Sequence, residues 1–77
     1  MPVEISQLDQ MQIAYKTAVD NWIAAIREEE AIASVNHSEA EIDAWEAAGF
    51  REEAARDKAK EAKAAYEAAL REKFFNF

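Results

Sequence analysis

Ser34-Val35-Asn36-His37-Ser38-Glu39-Ala40-Glu41 divides this chain in two. Ser34 to Ser38 is a run of weak helix formers. It lies between long stretches rich in alanine, glutamate and lysine, which favour helix. Ser38-Glu39-Ala40-Glu41 then has the spacing of a capping box. In that motif the serine hydroxyl accepts from the amide three residues on, and the glutamate reaches back to the serine amide. A helix therefore starts just after Ser38. The single glycine lies elsewhere, so Asn36 is the residue suited to a left-handed backbone at the turn. The segment 35–38, with Asn36, His37 and Ser38, reads as a hinge.

Before the hinge, apolar residues recur at helical spacing. Projected at about 100° per residue, Ile5, Leu8, Met11, Tyr15, Ala18, Val19, Trp22, Ala25, Ile26, Ile32 and Ala33 share one face. Asp9, Gln10, Thr17, Asp20, Asn21, Arg27 and Glu28 lie opposite. This is the wide stripe of a core-facing bundle helix. The expected helix covers about 6–34, with Ser6 and Asp9 as its cap; Pro2 at a first helical position would start it earlier.

After the hinge, the expected helix covers about 39–74. Its inward face reads Ile42, Trp45, Ala48, Gly49, Ala55, Ala59, Ala62, Tyr66, Ala69, Leu70 and Phe74. Gly49 would either end a short helix or sit inside a continuous one. Phe50-Arg51-Glu52 offers no cap for a new helix, so the continuous reading is preferred, with Gly49 as a packing notch. The two stripes are complementary in size. A turn near residue 36 brings Trp22 to Gly49, Tyr15 to Ala59, Leu8 to Tyr66 and Ile26 to Trp45, large against small at most levels. On this reading Gly49→Leu overpacks the seam and costs about 1–3 kcal/mol.

The fold class is thus all-α, an antiparallel two-helix hairpin forming one domain over 1–77. With 77 residues and no cysteine, such a domain is marginal and cannot be stapled by disulfides. Two helices share one seam, and each stripe is wider than a seam. Tyr15, Trp22, Trp45 and Tyr66 stay partly wet in a lone hairpin, as do Phe74, Phe75 and Phe77. A homodimer that doubles the hairpin into a four-helix bundle is the expected remedy. Charge sets the expected orientation. Residues 28–46 hold seven acids and no Lys or Arg, residues 1–27 three acids and two Lys or Arg, and residues 47–77 six acids and seven Lys or Arg. Hinges at opposite ends separate the acidic tips and bring Arg71 and Lys73 near the partner's tip.

Chemistry-bearing patterns are sparse. Glu29 and Glu52 fall on or beside the inward stripes, as the carboxylates of a bundle metal site do. The Glu-x-x-His motif of such sites is missing, and both read as seam-edge residues reaching solvent. His37 changes charge near neutrality but reads as a solvated loop residue. Arg56, Lys58, Lys60 and Lys63 are interleaved with acids, the pattern of a solvated helix face. No cofactor, metal or catalytic residue is expected. The net charge of −7 disfavours phosphate backbones and anionic membrane surfaces. No apolar run approaches the roughly 20 residues of a membrane span, and no signal peptide is evident, so the expected location is cytoplasmic.

The expected function is a small non-enzymatic protein–protein interaction module, an adaptor or regulator acting as a homodimeric bundle. Phe74, Phe75 and Phe77 form a tail that either docks in a partner's groove or folds back across the dimer. Tyr15, Trp22, Trp45 and Tyr66 complete the expected partner-binding set. The alternative is a nucleic-acid regulator of the two-hairpin Rop type, an architectural analogy only, or an acidic mimic of nucleic acid.

Overall fold

Alternating steps of three and four residues generate the architecture. In this computed structural model, which describes residues 3–33 and 38–75, the chain forms two helices. Helix α1 spans Ile5–Ala33 and helix α2 spans Glu39–Phe75, and they pack on each other as a hairpin. Asn36 and His37 lie outside the described residues, as do Pro2 and Phe77.

Each helix starts where a side chain satisfies a backbone amide of the cap or the first turn. At α2 the Ser38 hydroxyl accepts from the Glu41 amide at 3.3 Å, and the Ser38 carbonyl accepts from Ile42 N at 3.1 Å. Ser38 is therefore the N-cap. Glu39 and Glu41 in the first turn also suit the positive end of the helix dipole. Ser38→Ala is expected to lower stability by about 1 kcal/mol, read as a reduced urea midpoint.

The start of α1 differs from expectation. The Glu4 carbonyl accepts from Gln7 N and Leu8 N at 3.0 and 3.1 Å, and Gln7 Oε1 accepts from Glu4 N at 2.9 Å. Glu4, not Ser6, occupies the cap position. The reason is Gln7, three residues on, whose amide oxygen reaches back as the second half of a capping box. Ser6 is an exposed residue of the first turn.

The seam on α1 is Leu8, Met11, Tyr15, Ala18, Trp22, Ala25, Glu29 and Ile32, all buried or half-buried. On α2 it is Ala48, Glu52, Ala55, Ala59, Ala62, Tyr66 and Ala69, likewise buried or half-buried. Both follow the heptad spacing of helices that cross at a shallow angle. Bulk sits mostly on α1 and alanine mostly on α2. Among the described residues only Leu8, Ala25, Ala48, Ala59 and Ala69 are buried, and no large side chain is fully enclosed.

That is little core for a rod measuring 55 × 17 × 14 Å. The radius of gyration is 17.2 Å, against roughly 11–12 Å for a compact domain of this length. The accessible surface is 5978 Å², against about 4,700 Å² for a compact monomer of this mass. Among the described residues, no helix is long and apolar enough to cross a membrane.

Candidate functional site

What the seam leaves uncovered defines the candidate site. Nine large apolar side chains are exposed among the described residues. Their positions around the helices decide whether they form a surface.

Two grooves run beside the seam. The first is a trough of about 520 Å³ between Ala14, Thr17, Ala18 and Asn21 of α1 and Arg51, Ala54, Ala55 and Lys58 of α2. Stretch 14–21 thus runs beside stretch 51–58, the register expected for a turn near residue 36. Arg51 Nη2 also donates to Glu28 Oε1 at the hinge-side end of this trough, an exposed interhelical ion pair. The second groove, about 410 Å³, lies between Ile26, Glu29, Glu30 and Ala33 of α1 and Trp45 and Glu52 of α2. Ile26 and Trp45 share it, as the register requires. Projection at about 100° per residue puts the two grooves on opposite flanks of the seam.

The flanks differ in chemistry. Along the alanine trough the exposed residues are small or polar. On the side of the second groove lie Ile5, Ile23 and Ile26 of α1 and Ile42, Trp45 and Phe74 of α2, all exposed, with Val19 and Leu70 half-buried beside them. Of the remaining three, Ile13 and Phe50 sit on the outer backs of the helices, and Phe75 projects outward on the trough side at the open end. One side of the rod is therefore an apolar face.

Several inward assignments are corrected here. Ile5, Ala33, Ile42 and Phe74 are exposed, as are Ile26 at 41% and Trp45 at 48%. Trp45 keeps the seam spacing, three residues before Ala48, but opens into the second groove; the others lie beyond the edge of the seam, on the flank that a single neighbour does not reach. Tyr15, Trp22 and Tyr66 are half-buried within the seam, and Phe75 is exposed. Ile23, Ile13 and Phe50 were not among the expected inward or partner-binding residues. Ile23 had a legible signal, since it projects beside Val19 and Ile26.

Gly49 is not a packing notch in the hairpin. A Cβ placed on it meets no atom within 4 Å. It follows Ala48, which faces α1, and one residue of rotation carries position 49 onto the flank. Trp22 does not fill the space beside it. Gly49→Ala is accordingly expected to raise stability by about 0.5–1 kcal/mol, since alanine restricts the unfolded chain without meeting an obstacle. Thermal melting at fixed protein concentration checks this. The overpacking cost expected for Gly49→Leu has no basis within this hairpin.

Among the described residues, two polar groups near the seam lack a partner. Trp22 Nε1 and Arg56 Nε are both enclosed without a hydrogen-bond partner. Arg56 Nη2 lies 3.6 Å from Glu52 Oε2, an i,i+4 pair whose glutamate side chain is only 17% exposed. Glu29, Glu30 and Glu52 share the second groove, and no group of three potential metal ligands comes together among the described residues. Lys63 and Arg71 each lie near Glu67, at 3.9 and 3.8 Å, in keeping with a solvated charged face. A scan against protein-family models finds no match, and searches of curated proteins and of solved structures find none.

Proposed function

We propose that this chain is a small non-enzymatic interaction module, an adaptor or regulator, working as a homodimeric four-helix bundle in the cytoplasm. The observation that carries the reading is the apolar face beside a core made largely of alanine. Alanine burial releases little apolar area, at roughly 25 cal/mol per Å². Small folds without disulfides or metals commonly complete their cores by association. Exposed apolar faces of this extent mark association sites.

Light scattering across a dilution series tests the proposal. Twice the chain mass of 8.7 kDa is expected; a well-folded monomer at every concentration overturns it. The aromatic tail is tested in the same experiment. A chain ending at Lys73 keeps its dimer mass if Phe74, Phe75 and Phe77 serve an outside partner. It dissociates if they fold across the bundle.

A second reading draws on the hinge end. Glu28, Glu29, Glu30, Glu39, Glu41, Asp43 and Glu46 cluster there without a compensating base in that stretch. Such a tip suits an acidic mimic that occupies a basic nucleic-acid site on another protein. Direct nucleic-acid regulation of the two-hairpin type is opposed by the same charges. A gel-shift at low salt that shows binding would reverse that order.

A further inference from the structure

We infer that the side bearing Ile5, Ile23, Ile26, Ile42, Trp45 and Phe74 is the face a second copy of this chain covers, with the two hinges at opposite ends. The inference rests on the self-association proposed above and specifies the surface and the orientation.

The apolar residues on this side fall into two clusters. Ile23, Ile26, Ile42 and Trp45 lie toward the hinge. Ile5 and Phe74, with half-buried Leu70, lie at the open end. A two-fold axis across the middle of the rod sets each hinge cluster on the partner's open-end cluster, and both are covered in one step. That closed, self-complementary arrangement is the commonest among oligomers. A face 55 Å long and up to 17 Å wide has a footprint close to the ~800 Å² per partner of a stable complex.

Charge selects the same arrangement. The acidic tip, seven acids with no Lys or Arg over 28–46, would face its own copy if the hinges met. With hinges apart it faces the end carrying Lys63, Arg71 and Lys73. Like charges brought together without partners raise the energy of the first arrangement, whereas in the second the tip meets an end that is close to neutral, where Lys63 and Arg71 lie near Glu67. The alanine trough on the other flank shows no comparable apolar surface, and the Glu28–Arg51 pair links the helices at its hinge-side end. It stays outside the interface.

Three measurements decide the matter. The chain has no cysteine, so single thiols can be placed without background. Ile23→Cys lies on the inferred face and Ile13→Cys on the back of the same helix, and both sites are exposed in the hairpin. In the folded protein at concentrations where the mass is dimeric, alkylation of Ile23→Cys is expected to be at least tenfold slower. Equal rates overturn the face. The double variant Ile23→Glu/Ile26→Glu is expected to weaken association at least 100-fold, while Ile13→Glu/Phe50→Glu leaves it unchanged. The reverse pattern, with wild-type protein still dimeric, overturns the face and spares self-association. A wild-type mass of 8.7 kDa throughout overturns both. For orientation, nitroxide labels on Asp43→Cys, about one turn inside the start of α2, are expected at a copy-to-copy separation of roughly 40–45 Å, from about 1.5 Å per residue on either side of the rod's middle; a short separation overturns the opposed hinges.

Discussion

Ala48→Leu is expected to destabilise the protein by about 1–3 kcal/mol and to broaden its unfolding transition. Ala48 is 1% exposed, the most enclosed residue of the buried set. It sits in the hinge-side half of α2, and Ala25 of α1 is buried in the matching half of its own helix. A helix pair that seats alanines along one seam can bring its axes toward the close end of the usual 8–10 Å. A leucine there has three more carbons than the site holds. It must either adopt a poor rotamer or push the helices apart, and parting them loosens the neighbouring levels too. Ala47→Leu is the control. It adds the same side chain one residue away, on an exposed position, and is expected to leave stability within about 0.5 kcal/mol. Urea unfolding at fixed protein concentration separates the two, since association otherwise shifts the midpoint. Equal midpoints for both variants would mean that alanine at position 48 is not there to allow close approach.

The contrast between positions 48 and 49 shows what the sequence could and could not convey. Helix existence, the turn at Ser38 and the alanine seam were legible because each rests on local chemistry or on spacing. Ser38 caps because its hydroxyl reaches an amide three residues away, a matter of the chain alone. Which apolar residues lie inward was less legible. A straight projection at 3.6 residues per turn gives a broad stripe, whereas the packed seam follows a 3.5-residue repeat and is narrower. Ile26 and Ile42 belong to the stripe and lie outside the seam. Gly49 was drawn into the seam for the same reason. The start of α1 depended on Gln7 reaching back to Glu4, a competition between neighbouring caps that composition does not rank. Sidedness was the least legible feature. A helical wheel places residues around one helix, but which flank of α1 adjoins which flank of α2 emerges only once the hairpin is formed. Only then do Ile5, Ile23 and Ile26 appear on the same side as Ile42, Trp45 and Phe74.

Trp22→Ala and Trp22→Phe are expected to diverge sharply, and the divergence reports on the seam and on what lies beyond it. Trp22 is the largest side chain of the α1 seam and is half-buried there, while its indole nitrogen is enclosed with no acceptor. Truncation to alanine removes the apolar bulk set against the small residues of α2. Full burial of such a side chain is worth about 3–5 kcal/mol, so a half-buried one is expected to cost about 2–4 kcal/mol. Phenylalanine keeps much of the bulk and deletes the N–H. An enclosed donor without an acceptor costs about 1–3 kcal/mol of desolvation, so losing it offsets the lost ring area. Trp22→Phe is therefore expected to stay within about 1 kcal/mol of the parent. Urea midpoints measured at two protein concentrations give both values. If phenylalanine proves nearly as costly as alanine, the indole N–H must be hydrogen-bonded in the working protein. Among the described residues no protein acceptor reaches it, so the bond would be made to water or to a second chain.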